Sequence, residues 1–357
     1  MKKPISSIAA IAIACSLLIF SSCKKTNTAP DLPTSHQSFT PVTLVSTDAS
    51  IAAARTDPHI INAWGLAFSP TGNAWISSAG DHSSLVYNSA GAQALPPVTI
   101  PTHGAATGGL PSGQVFNASS GFKLINGNPA KFLFAGLDGI ISGWNSGGAA
   151  IAMVDRNGIS VYTGLAIAVR GTDSMIYATD FKSGKVDVFN TNFVLQTMSF
   201  ADPSLPANYK PFNIQNVGGL LYVTYAQPDP ATNKEKKGAG LGVVNVFNPD
   251  GSFVTRFAAG DALNAPWGIT KAPDGWLNGQ TNTILIGNFG DGHINAYNSS
   301  SGAYLGALQS GGSTIVIDGL WAISFAPATA TAVNPGWLYY AAGPAGETKG
   351  AFGYVTN

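Results

Sequence analysis

Two cysteines, two glutamates and four methionines are all that this 357-residue chain holds of those types, and only 10% of its residues are charged. Each shortage excludes something. Cys15 and Cys23 both lie near the N-terminus, so no disulfide framework or cysteine-ligated zinc site can span the body of the chain. Eighteen Lys and Arg against eighteen Asp and Glu give no net charge, and no basic aromatic surface is visible, so nucleic acid is not an expected partner. Glutamate, the best acidic helix former, is nearly absent beside 16 aspartates, which argues against a helical protein. What is plentiful is 42 glycines, 22 prolines and 45% hydrophobic residues. That is too apolar for disorder and rich in turn formers, and it points to an all-β chain.

The first residues are expected to be a targeting segment. Lys2 and Lys3 precede an apolar run from Ile5 to Phe20, short for a membrane span, and the run ends in Phe20-Ser21-Ser22-Cys23. Small residues before a cysteine resemble a bacterial lipobox, which implies cleavage before Cys23 and acylation of its thiol. The domain plan is then a lipoprotein signal peptide over 1–22, a polar tether over 23–38 and one folded unit over 39–357. Loss of two lysines with the leader gives a mature charge of about −2. The expected location is a bacterial envelope, periplasmic or facing the outer membrane, with the chain a monomer held to lipid at Cys23.

The body repeats itself. A short alternating run ending in an aromatic and usually Asn recurs at 83–91, 139–148, 184–192, 242–251, 292–302 and 350–357. Its aromatics, Tyr87, Trp144, Phe189, Phe247, Tyr297 and Tyr354, stand 45 to 58 residues apart. Asn followed by Gly, Ser or Pro-Asp-Gly is hairpin chemistry. A second strand-like segment lies upstream of each copy, at 62–68, 120–125, 162–169, 211–217, 265–273 and 320–327, and a third lies between the two. Three strands and a variable fourth at this period describe a propeller blade. The sixth unit ends one strand short, while 41–46, PVTLVS, precedes the first unit unpaired. A six-bladed β-propeller closed by its N-terminal strand satisfies both observations and removes an open edge.

NAWGLAFSP, SGQVFN at 112–117, FLFAGLDGIISGWN, YATDFKSGKVDVF, PFNIQNVGGLLYVTYAQ, LIGNFGDGHINAY and IDGLWAISFAP together resemble an uncharacterised family of exported bacterial propeller proteins. More distantly the blades resemble NHL repeats and the gluconolactonase-like superfamily of six-bladed calcium enzymes. The first resemblance implies fold and export without an activity. The second implies Ca²⁺ among oxygen ligands and, as an alternative function, a divalent-metal-dependent hydrolase or lyase. Those enzymes use a Glu early in the propeller, whereas Glu235 and Glu347 both lie in loops far from a predicted inner strand.

Propeller geometry brings the starts of the inner strands to one channel mouth with the loops between second and third strands, where ligands collect. The residues so gathered are Asp57, His59, Asn62, Asp81, Asp138, Asp180, Asn213, Gln227, Asn288 and Asp318, with His82, Lys182, Asn216, Asn264, Asp291 and His293 beside them. Ca²⁺ needs about six to eight oxygens, and Asp138, Asp180, Asn213, Asn288 and Asp318 are the candidate set. The competing reading makes each Asp or Asn a turn former that bonds its own backbone. His59, His82 and His293 lack paired metal-ligand spacing and read as turn or capping residues. Trp64, Trp267 and Trp321, at equivalent positions, read as packing between blades, or as a sugar-stacking platform. The long insertion PDPATNKEKKGAGLG reads as a solvated loop, with a lid over the mouth as the alternative. With no catalytic constellation visible, the leading expectation is a lipid-anchored binding or scaffold module for a glycan, peptide or envelope protein.

Overall fold

In the computed structural model, which describes Met1 and residues 37–357, five four-stranded antiparallel sheets and a sixth of five strands are arranged as a propeller. The expected leader from residue 2 on, Cys23 and the expected tether up to residue 36 lie outside the described residues. Gln37 and Ser38, the end of that tether, are bonded to the propeller, Gln37 Nε2 donating to the Trp276 carbonyl at 3.1 Å and Ser38 Oγ accepting from the Gly311 amide at 2.8 Å. From the channel outward, blade I is Ala63–Phe68, Ala74–Ser78, Ser83–Tyr87 and Gln93–Thr99. Blade II is Pro111–Phe116, Phe132–Gly136, Ile140–Trp144 and Ile151–Asp155, and blade III is Tyr162–Arg170, Asp173–Asp180, Lys185–Phe189 and Leu195–Gln196. Blade IV is Lys210–Val217, Leu220–Ala226, Val243–Phe247 and Phe253–Ala259, and blade V is Pro266–Lys271, Thr283–Asn288, Ile294–Asn298 and Tyr304–Ala307. Blade VI takes Leu320–Phe325, Leu338–Ala342 and Ala351–Thr356 from the end of the chain and its outer strand, Thr40–Ser46, from the beginning.

That closure matches the expectation from sequence. Thr40 pairs with Thr356 and Ser46 with Ala351, and the short strand Arg55–Thr56 adds outside in parallel. Leu44 and Val45 are buried, so the closing strand contributes core as well as backbone bonds. The recurring aromatics sit at or near the ends of the third strands, and the Asn after them turns the chain. Asn88, Asn190 and Asn298 each accept backbone N–H groups two to four residues on.

One segment departs from expectation. The inner strand of blade II is Pro111–Phe116 and not 120–125. Residues 120–125 belong to the loop after it, where Phe122 is buried at φ 53° and packs edge-on against Phe193. Its apolar run reflects burial under the blades rather than ladder pairing.

Every inner strand carries a β-bulge near its start, opposite the end of its partner strand. The extra residues fall at equivalent places: Trp64, Ser112, Thr163, Phe212, Trp267 and Trp321. A bulge re-aims a side chain, and here it groups large aromatics where the six blades meet.

Candidate functional site

The mouth at the start of the inner strands is filled by that group. Trp64 and Phe289 stack on opposite faces of Trp321, each with ring centroids 3.7 Å away. Trp267 stands edge-on to Trp64 and Trp321, and Phe212 and Phe181 complete the plug. All six rings are buried. Phe181 and Phe289 open the loops between second and third strands, in register with Leu137 of blade II, Gln227 of blade IV and Gly343 of blade VI. Gly343 has a specific reason to lack a side chain: a Cβ there would collide with Asn62 Oδ1 and lie 3.2 Å from Trp321 Nε1. The three tryptophans of the sequence reading are thus one packed cluster. Trp321 Nε1 donates to Asn62 Oδ1 at 2.8 Å and Trp267 Nε1 to the Thr163 carbonyl at 2.9 Å, while Trp64 Nε1 is buried without a partner.

Around this plug the predicted site residues are engaged locally. Asp57 accepts from Tyr87 Oη at 2.7 Å and from the His59 amide. Asp81 meets His59 Nδ1 at 3.0 Å, which raises the histidine pKa, and also accepts from Ser83 Oγ. Asp138 accepts from Thr102 Oγ1 at 2.7 Å. Asp180 accepts the amides of Val161, Lys182 and Ser183, and Asp318 that of Ala345. Asn264 and Asn288 donate to Asp291, whose other contacts are the His293 amide at 3.1 Å and its Nδ1 at 3.6 Å. His82 Nδ1 lies 2.9 Å from the Gly109 carbonyl. Asn216 donates to the Ile167 carbonyl, at the far end of its strand, and the Gln227 carbonyl accepts from the Lys236 amide. Asn213 donates to the Trp267 carbonyl at 2.7 Å, and its buried Oδ1, like that of Asn288, has no partner.

Of the five candidate calcium ligands, the three aspartates already accept hydrogen bonds from neighbouring groups, while the Oδ1 atoms of Asn213 and Asn288 are buried without a partner. Among the described residues, no three His, Cys, Asp or Glu side chains come close enough together to hold a metal ion. Asp180 bonds the amides of its own turn, and Asp138 the Ile140 amide at 3.4 Å, as the turn-former reading expects, whereas the Thr102 and Ala345 contacts of Asp138 and Asp318 join separate loops.

Two residues set aside at the sequence level meet over the plug. The insertion of blade IV folds as a hairpin, with the Asp229 amide donating to the Lys234 carbonyl, Lys236 to Gln227, and Asn233 at φ 57° in the turn. It crosses the mouth. Lys234 Nζ reaches Glu347 Oε1 of blade VI at 3.0 Å, Asn62 Nδ2 donates to Glu347 Oε2 at 3.2 Å, and Lys237 Nζ lies 4.0 Å from the Phe289 ring centroid. Burial, with the neighbouring Glu347 charge adding to it, pushes the Glu235 carboxyl up to about 7. The insertion is exposed over 230–234 and 236–237, as expected of a solvated loop, and these contacts also hold it across the mouth.

The opposite mouth is open. There the ends of the inner strands enclose a cavity of ≈ 410 Å³ lined by Leu66, Phe68, Phe116 and Ile167 together with Gln114, Gln215, Asn216 and Ser324. No ionisable side chain lines it. Gln114 is tied to the backbone of Gly65 and Trp75 and to Ser84, whereas the Gln215 amide makes no hydrogen bond within the described residues. No sequence feature singled out this funnel, because Gln and Ser at strand ends carry no motif.

No family profile matches the chain. The uncharacterised protein R648 of Acanthamoeba polyphaga mimivirus is 34% identical over 287 residues, covering 75% of this chain and 69% of that protein. Protein L690 of the same virus is 32% identical, covering 78% and 77%. This chain belongs to their family. These members of the family are viral, and their descriptions assign no activity. Among solved structures, a Bacteroides thetaiotaomicron protein of unknown function aligns at TM-score 0.56 and 12% identity, over 89% of this chain and 76% of that one. A streptogramin B lyase aligns at TM-score 0.51 and 12% identity, over 89% and 97%. At such identity the likeness is one of fold, the six-bladed propeller anticipated from the repeats.

Proposed function

We propose that this propeller is a binding module whose ligand enters the open funnel, and that the ligand is an uncharged polar molecule of the glycan class. The observation that carries the reading is the funnel itself, a concave site with aromatic and aliphatic walls, amide and hydroxyl groups and no ionisable side chain. Such a lining suits hydroxyl-rich ligands with an apolar ring face, and it offers no ionisable group. The alternative of a metal-dependent hydrolase or lyase draws no comparable support, since among the described residues no three His, Cys, Asp or Glu side chains gather. A panel of neutral oligosaccharides, read by the melting midpoint of the protein, tests the proposal. A ligand at a hundred times its Kd adds about 2.7 kcal/mol and shifts the midpoint by several degrees. The shift is expected to vanish in Gln215→Leu, with the unliganded midpoint unchanged. Indifference to every sugar, or a shift that survives Gln215→Leu, contradicts the reading.

Attachment to a membrane through an acyl group on Cys23 belongs to the same proposal, supported by the run Phe20-Ser21-Ser22-Cys23. Cys23→Ala is expected to move the protein from the membrane fraction to the soluble one. Wild-type protein already in the soluble fraction overturns it.

A further inference from the structure

The second mouth has a ligand-like group of the chain's own. Phe289 carries Trp321 on one face at 3.7 Å, so the Lys237 ammonium, 4.0 Å from the same ring centroid, occupies the other. This is a cation held against an aromatic face. Negative charge stands close by: Glu235 lies on the same hairpin and Glu347 on the facing loop of blade VI. The only two glutamates in the chain meet at this one place. The hairpin is fastened to other blades by the Lys234–Glu347 pair, the Gly238 amide on Asn264 Oδ1 at 2.7 Å, and Lys237 on Phe289. Each of these is a contact that an incoming ligand can exchange for its own.

We propose that the aromatic mouth is a binding site for an alkylammonium group, closed in this state by Lys237 acting as an internal ligand. A lysine side chain, a polyamine or a quaternary ammonium group has the chemistry to displace it, stacking on Phe289 while Glu347 and Glu235 balance its charge. The site lies at the other end of the channel from the funnel, so the two stand or fall separately. The charged groups around Glu235 are Glu347 from blade VI and Lys234 and Lys237 from its own hairpin. Burial holds its carboxyl near 7, so the negative charge available to a cation grows between pH 6 and 8, and affinity is expected to grow with it.

Tryptophan fluorescence of the full chain, titrated with n-butylammonium and tetramethylammonium, reads the site through Trp321 beneath Phe289. A neutral alcohol, 3,3-dimethylbutan-1-ol, is the control for shape without charge. Lys237→Gln removes the internal ligand and is expected to tighten cation binding on the order of tenfold, roughly the worth of one cation–π contact. Lys237→Arg is expected to restore wild-type affinity, and Glu347→Gln to weaken binding in the Lys237→Gln background. If Lys237→Gln disturbs the fold, Lys237→Met, which keeps the apolar stem, takes its place. Lys237→Gln and Lys237→Met variants that bind no tighter than wild type, or that bind the neutral alcohol as well as the cations, overturn the proposal.

Discussion

Glu235 sits in a loop that composition alone marks as solvated, yet the fold half-buries it beside another carboxylate. Its pKa is raised, by burial first, from the usual 4.5 to about 7. Between those values the folded chain holds more protons than the unfolded one, so stability falls as pH rises from about 4.5 to 7 and then levels. His59, whose pKa is raised by its hydrogen bond to Asp81, acts in the same direction: its contribution is present at low pH and lost as pH rises through its folded value. Melting midpoints at pH 5 and pH 8 are therefore expected to decline for wild type and to decline less in Glu235→Gln. An equal decline in both contradicts the assignment to Glu235. Close packing around the channel gives a second expectation. Gly164 lies against Asn213, where a Cβ would collide with Oδ1 and stand 2.8 Å from the Cα. Gly164→Ala is expected to cost roughly 1–3 kcal/mol in urea unfolding. Neither effect was legible in the sequence, because Glu235 and Glu347 come together only when the loops of blades IV and VI converge. Some turn aspartates were legible: Asp180 accepts the Lys182 amide and Asp138 the Ile140 amide, two residues on, as Asx chemistry predicts.

The strands were the most readable elements. Alternation, a terminal aromatic and a following Asn mark each third strand, and the missing outer strand of the last unit points to 41–46. Blade II shows where such reading fails. Its bulge residue is Ser112 where four other blades have an aromatic, so 120–125 competes with Pro111–Phe116 on hydrophobicity alone. Removing the closing strand tests the architecture at this scale. Truncation before Thr47 deletes Leu44 and Val45 from the core, each worth roughly 1.5–3 kcal/mol, and bares the edge Ala351–Thr356. The expected result is a melting midpoint lowered by many degrees and association on gel filtration. A truncated chain that melts as wild type and stays monomeric contradicts closure by this strand.

Across the whole molecule, the two ends of the channel differ in kind. One is filled by stacked rings under a charged hairpin, and the other opens as a neutral funnel. The sequence located the loops between second and third strands, but it set Asn216 among them where the structure puts it in the funnel, and the bulge that turns Trp64, Trp267 and Trp321 into the mouth has no sequence signature. Because the rim aspartates already accept hydrogen bonds from protein groups, millimolar Ca²⁺ added to metal-stripped protein is expected to leave the melting midpoint unchanged; a rise of several degrees that Asp138→Ala with Asp180→Ala abolishes contradicts this. The most direct measurement is a crystal structure of the protein grown with the neutral oligosaccharide that shifts its midpoint most. Sugar density between Phe68, Phe116 and Gln215 is the expected result, and density at the Phe289 mouth with the funnel empty would contradict it.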